Sequence, residues 1–130
     1  MLNMRLFKSS ILALFISFFS LKALADFTAV LSCEFNGSHT NIYVCFMGDY
    51  TDTELELKNY GNLNIYKAYD LQSLGYETYE GFEFSLSDSF YLVAQNASDT
   101  MVLRLRIYDM DYNLVYEDVA GHWDVISVQN

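Results

Sequence analysis

Residues 90–107 read FYLVAQNASDTMVLRLRI and carry the clearest structural pattern in the chain. Apolar residues alternate with other residues on both sides of the segment 96–99, which reads Asn-Ala-Ser-Asp. Such alternation is typical of strands that bury one face, and small polar residues between two strands are typical of a turn. The pattern predicts a β-hairpin with a four-residue loop. Its buried face pairs Ala94 with Met101, Leu92 with Leu103 and Phe90 with Leu105.

The same alternation recurs along the rest of the chain. Strands are predicted at 31–35, 43–47, 53–58, 82–86, 114–119 and 122–128, and a turn at 109–113. Residues 62–74 fit either a short helix or an irregular strand and loop. Seven or eight short strands separated by turns indicate an all-β fold, an antiparallel sandwich or a small barrel.

Cys33 and Cys45 are the only cysteines. Reflection of a hairpin about His39 places Cys33 opposite Cys45, and directly opposed residues approach disulfide geometry. We therefore expect one intrachain disulfide between neighbouring strands. A metal site is disfavoured because the cysteine spacing differs from that of zinc sites and only His39 and His122 could assist.

Residues 1–25 have the pattern of a cleaved signal peptide. Arg5 and Lys8 precede an apolar run at 11–21, and Ala23-Leu24-Ala25 fits a signal-peptidase site. The run is too short to span a bilayer as a helix. We expect a single β domain at 26–130 in the periplasm or outside the cell, where a disulfide persists.

The expected mature chain is strongly acidic. It keeps all 17 acidic residues and four basic ones, Lys58, Lys67, Arg104 and Arg106, which gives a net charge of −13. Nucleic-acid binding requires a basic surface, so this class of function is excluded. The same charge argues against docking on anionic membranes.

Catalytic motifs are missing from the sequence, and we expect a protein that is not an enzyme. The segment 109–113 begins like a calcium loop, but Leu114 and Ala120 occupy the positions where an EF-hand requires Gly and Glu. A different calcium site remains open beside the simpler interpretation of a turn. Trp123 is expected in the core, with His122 and Asp124 on the exposed face of a strand.

Tyrosines beside acidic residues in predicted loops are the best candidates for binding, because Tyr gives large contact area at low entropic cost. The alternative is that Tyr simply covers sheet faces. The disulfide-braced hairpin tip is a further candidate. The candidate partner-binding residues are Asp49, Tyr50, Asp52, Glu77, Tyr79, Glu80, Asp109, Asp111, Tyr112, Ser38 and His39.

One predicted face carries Tyr91, Arg104, Arg106 and Tyr108. The arginines could pair with Glu117 or Asp118 on the next strand, or they could anchor a self-association surface and give a homodimer. Asn36 and Asn96 each begin an N-glycosylation sequon, and both are predicted in turns.

These features favour an exported acidic protein that inhibits a basic partner. An immunity protein or inhibitor of a peptidoglycan-degrading toxin, of the muramidase or lysozyme type, fits the export signal, small size, disulfide and charge. The alternative is a carbohydrate-binding or adhesive envelope module in which Tyr and Trp123 stack on sugars. Opposite charge accelerates encounter with a basic protein, whereas aromatic stacking on sugars depends little on salt.

Overall fold

A computed structural model of the chain describes residues 26–130. The predicted signal peptide at 1–25 lies outside the described residues. The elements in chain order are β1 (Phe27–Phe35), β2 (Ser38–His39), α1 (Ile42–Phe46), β3 (Leu55–Asn59), β4 (Asn62–Tyr66), a 3₁₀ helix (Ala68–Ser73), β5 (Tyr76–Glu77), β6 (Phe82–Leu86), β7 (Tyr91–Gln95), β8 (Val102–Tyr108), β9 (Leu114–Ala120) and β10 (Val125–Gln129).

The strands of residues 26–130 form two antiparallel sheets packed as a sandwich, which confirms the predicted all-β class. Sheet A has the order β5-β6-β1-β8-β9, with β2 paired to the end of β1, and sheet B has the order β10-β7-β3-β4. The described chain has ten strands rather than seven or eight. Seven predicted strands are present, and the additional ones are β4 and the two-residue strands β2 and β5, which are too short for alternation to reveal. No helix within 26–130 has the length and apolar character needed to cross a bilayer.

The hairpin predicted at 90–107 is wrong in its pairing but right in its buried face. β7 pairs with β3 and β10 in sheet B, whereas β8 pairs with β1 and β9 in sheet A. The segment 96–101 therefore carries the chain from one sheet to the other. Leu92 and Leu103 are both fully buried. They lie in different sheets and face each other's layer of the core, rather than lying side by side in one strand pair. The sequence alternation is the same for these two arrangements, so it could not distinguish them.

The predicted disulfide between Cys33 and Cys45 is present. The strand predicted at 43–47 is wrong, however, because the chain forms α1 there. Asn41 caps the helix by accepting a hydrogen bond from the backbone N–H of Tyr43 at 2.9 Å. The buried residues Ile42, Cys45 and Phe46 follow the i, i+3, i+4 spacing of a helix. The disulfide thus joins β1 to α1 rather than to a neighbouring strand.

Other predicted elements are confirmed with small changes. Leu55 and Leu57 point inward on β3, and β6 buries Phe82, Phe84 and Leu86. The ambiguous segment 62–74 contains both alternatives, since β4 is followed by the 3₁₀ helix. The last strand begins at Val125 rather than at residue 122, because residues 121–124 form a turn.

Candidate functional site

One end of the sandwich brings together loops from distant parts of the sequence. β7 ends at Gln95, which pairs with Val125 at the start of β10, and Ala94 pairs with Leu55 at the start of β3. The segments 47–54, 96–101 and 121–124 consequently lie side by side at this end. None of the three contains Lys or Arg.

These three segments, together with Val44 of α1, line a groove of about 290 Å³. Its walls carry two carboxylates, Asp49 and Asp99, and the aromatic side chains of Tyr50 and Trp123. Tyr50 is 96% exposed, so its ring is open to contact by a partner. The remaining lining is contributed by Val44, Met47, Gly48, Ala97, Ser98, Thr100 and His122.

The groove is held in shape by Asn96, which is fully buried. Its side-chain Nδ2 donates to the carbonyl oxygens of Met101 and Ala120 at 2.9 and 3.0 Å. Its Oδ1 accepts from the backbone N–H of Ser98, and its own carbonyl accepts from the N–H of Trp123 at 2.7 Å. Asn96 therefore ties two of the groove's walls together through its side chain and its backbone carbonyl.

The third wall is fixed by close backbone approach. Ala97 donates its N–H to the carbonyl of Cys45 at 2.7 Å. A Cβ on Gly48 would lie 2.6 Å from the carbonyl oxygen of Thr51 and 3.3 Å from the Cβ of Ala97. Glycine is needed at this position because a Cβ would clash with the backbone carbonyl of Thr51 and would also crowd Ala97.

Trp123 is not the core residue that the sequence predicts. It is 39% exposed at the groove and has a positive φ of 65°, an outlier for a bulky side chain. Its ring lies 4.8 Å from that of His122. Strained backbone of this kind persists only where surrounding contacts enforce it, and it often marks a functional site.

The arginines do not offset the acidic loops, because they are paired elsewhere. On the outer face of sheet A, Arg104 Nε lies 3.2 Å from both carboxylate oxygens of Glu34, and its Nη1 lies 3.0 Å from Glu117. Arg106 contacts the same two acids. Burial alone would lower the pKa of Arg104, but the hydrogen bonds and charges of Glu34 and Glu117 outweigh it and raise that pKa.

The predicted pairing of these arginines with Glu117 is confirmed, while Glu34 is the partner that the sequence did not reveal. Tyr91 lies on the other sheet and does not share their face. Two acids and two bases cancel in this cluster. The net charge of −13 on the expected mature chain therefore resides entirely outside it.

Three of the predicted binding residues lie at the disulfide rather than at the groove. Ser38 is an exposed residue beside the hairpin turn. His39 Nδ1 accepts from the N–H of Cys33 at 3.0 Å, and its Nε2 lies 2.8 Å from Glu77 Oε1. Glu77 Oε2 accepts from the N–H of Ile42 at 2.9 Å. Two polar residues predicted to bind a partner thus connect β1, β2, α1 and β5.

Another predicted group, Asp109, Asp111 and Tyr112, lies at the opposite end of the sandwich. Asp109 is 5% exposed, and its Oδ1 accepts from the N–H groups of Asp111 and Asn113. Its carboxylate therefore closes the turn between β8 and β9. Within 26–130, no group of three or more His, Cys, Asp or Glu side chains is placed to hold a metal ion.

The remaining predicted residues are divided between two loops. Asp49, Tyr50 and Asp52 belong to the groove segment, where Asp52 Oδ1 accepts from the N–H of Gly48 at 3.3 Å. Tyr79 and Glu80 lie in the exposed loop between β5 and β6. The structure therefore places Asp49 and Tyr50 in the groove lining and leaves the other predicted residues outside it.

Asp99, Thr100 and His122 line the groove but were missed by sequence reasoning. Their only signal was that each lies in a predicted turn or at the start of a predicted strand. The buried geometry of Asn96 does not suit glycosylation of its sequon in the folded protein, because both hydrogens of its Nδ2 are donated to carbonyl oxygens inside the protein. Asn36, by contrast, is exposed at the hairpin turn.

The chain matches no protein-family model, no curated protein and no solved structure.

Proposed function

We propose that the protein acts outside the cytoplasm as an acidic binding protein that inhibits a basic protein partner. The groove carries the proposal, because it combines two carboxylates with exposed aromatic rings at an end of the molecule whose groove loops contain no Lys or Arg. Aromatic rings and carboxylates together suit a Lys or Arg side chain, through cation–π contact and ion pairing.

The whole charge distribution supports the same function. The cluster of Arg104, Arg106, Glu34 and Glu117 is neutral as a unit. The excess negative charge is therefore available to attract a partner over long range and to raise the rate of association.

The disulfide supports an extracytoplasmic location, because such bonds persist mainly in oxidising compartments. For an exported inhibitor or immunity protein, the first partner class to test is a basic peptidoglycan-degrading toxin of the muramidase or lysozyme type. Such an enzyme presents basic side chains, and insertion of the acidic end into its cleft would exclude the substrate.

The test is to measure binding and inhibition of a basic muramidase by the purified protein and by two matched variants. Asp99→Asn removes a charge from the groove, while Asp111→Asn removes the same charge from the opposite end. We expect Asp99→Asn to weaken binding about tenfold and Asp111→Asn less than about twofold. Affinity should also fall when salt is raised from about 0.05 to 0.3 M.

Equal losses in the two variants would show that only net charge matters, and the groove would then lose its role. Absence of binding and inhibition across a panel of basic cell-wall hydrolases would contradict the proposed partner class.

A carbohydrate-binding function is the second candidate, favoured by the exposed ring of Trp123 beside Tyr50. Sugars stack on aromatic faces with little dependence on salt. Glycan binding that is abolished by Trp123→Gly, is unchanged by Asp99→Asn and is insensitive to ionic strength would favour this function over inhibition.

A further inference from the structure

β4 is an edge strand with an open side. It is the last strand of sheet B, and four of its five residues are exposed. Its sequence, Asn-Leu-Asn-Ile-Tyr, contains no charged residue. Leu63 and Ile65 are 58% and 56% exposed although both are large aliphatic residues. They pair with Lys58 and Glu56 of β3 and share the outer face of the sheet.

The backbone of β4 is oriented to accept another strand. The two-residue turn Tyr60-Gly61 closes the β3–β4 hairpin at the pair Asn59 and Asn62. In such a hairpin alternate residues bond to the partner strand, so the N–H and C=O groups of Leu63 and Ile65 point to the open side.

The other edges of the described sheets are better protected against pairing. β9 carries Glu117 and Asp118 and has a register shift opposite Ile107 and Tyr108. β5 is only two residues long, and β10 lies against β9. Proteins commonly protect edge strands with charged residues, register irregularities or short lengths. β4 has neither a charged residue nor a register irregularity.

We propose that two copies of this protein pair through β4 as an antiparallel homodimer with its two-fold axis at Asn64. This inference is independent of the groove. In this register Leu63 of one copy faces Ile65 of the other, twice, and the two Asn64 residues face each other. The two copies of sheet B then form one continuous sheet. On its outer face, each Leu63 packs against the Ile65 of the other copy.

The charges beside the strand are self-complementary in this register. Each row across the junction reads Glu56, Ile65, then Leu63 and Lys58 of the second copy. Each Ile65–Leu63 pair is thus flanked by Glu56 of one copy and by Lys58 of the other copy. Since β4 itself is uncharged, this junction avoids the direct like-charge contacts that the acidic surface would otherwise bring together.

The test is sedimentation of the purified protein over a wide concentration range. A junction between two five-residue strands is small, so we expect a weak dimer that forms at about 10–100 µM. Ile65→Lys should raise the dissociation constant at least about tenfold. The matched control is Val125→Lys, which introduces the same charge at an exposed valine of β10 on the opposite edge, and it should leave dimerisation unchanged.

Cysteine crosslinking tests the register independently of that variant's folding. Asn64→Cys should give a covalent dimer on mild oxidation, because the two Asn64 residues form a close, non-hydrogen-bonded pair. Asn62→Cys, in the same strand, faces Tyr66 of the second copy and should not crosslink. A protein that stays monomeric at all concentrations, equal effects of the two lysine variants, or crosslinking through residue 62 but not 64 would each overturn the proposal.

Discussion

The side-chain amide of Asn96 stabilises the groove through three hydrogen bonds, with Ser98, Met101 and Ala120. Asn96→Asp would replace the donating NH₂ by an oxygen that faces two carbonyl oxygens in a buried position. We expect a loss of about 3 kcal/mol or more in the free energy of unfolding, measured by urea denaturation.

The matched control for that change is Asn36→Asp, because Asn36 begins the other sequon and is exposed. It should alter stability by less than about 0.5 kcal/mol. Similar losses for the two variants would show that the amide hydrogen bonds of Asn96 contribute little.

Tyr116 gives the fold a dependence on alkaline pH. Burial, followed by the charge of Asp118 and the hydrogen bond to it, raises the pKa of Tyr116 above its ordinary value of 10.0. The folded chain therefore keeps a proton that the unfolded chain releases above that pH. This contribution to stability is fully present below about pH 10 and is lost as the pH rises through the raised pKa.

We therefore expect the melting temperature to fall as the pH rises above about 10, and to fall less steeply in Tyr116→Phe. Tyr79→Phe, which removes a phenol that is 88% exposed, serves as the control. A pH profile that is the same for wild type and Tyr116→Phe would contradict this account.

At the scale of single elements, two arginines of β8 form similar ion pairs that we expect to contribute unequally to the free energy of unfolding. Glu34 is 8% exposed and receives Arg104 on both carboxylate oxygens, whereas Arg106 Nη1 lies 3.8 Å from it. Arg104→Ala would leave this buried carboxylate without its closest cation, with only the Ser32 hydroxyl at 2.6 Å and the more distant Arg106 as partners. We expect a loss of about 2–3 kcal/mol.

Arg106→Ala removes a more distant partner of Glu34 and a contact with the more exposed Glu117, so its expected cost is about 1 kcal/mol or less. Chemical denaturation of the two variants side by side is the measurement. An Arg106→Ala variant as unstable as Arg104→Ala would show that the distances to Glu34 do not determine the stability.

The strands illustrate what alternation can and cannot predict. It identified the inward faces of β3, β6, β7 and β8, because burial on one face imposes a period of two whatever the partner is. It could not tell whether Leu92 and Leu103 lie beside each other in one sheet or across the core from each other. It also missed α1, because five residues are too few for a helical period to be distinguished from alternation.

At the scale of the whole molecule, charge was predictable and the groove was not. Net charge is a sum over the sequence and needs no geometry. The groove is built from segments that are far apart in the chain, and its shape depends on the buried contacts of Asn96 and on the left-handed backbone of Trp123. Neither feature is indicated by residue type, since Asn is common in exposed turns and Trp rarely adopts a positive φ.

The central pairing of β1 with β8 determines how the molecule reaches its native state. Its partners are remote in the chain, as Glu34 and Arg104 are separated by 70 residues. The chain must close a loop of this length before the stabilising contacts between the two strands form, so we expect refolding of the oxidised protein in milliseconds to seconds.

The chain contains no proline. Stopped-flow refolding should therefore lack the phase of tens of seconds that prolyl isomerisation produces, and a phase of that kind would contradict the expectation. A newly made chain also cannot complete sheet A until β9 has been synthesised. We therefore expect it to stay unfolded for most of its synthesis, which is the state that export through a narrow translocation channel would require.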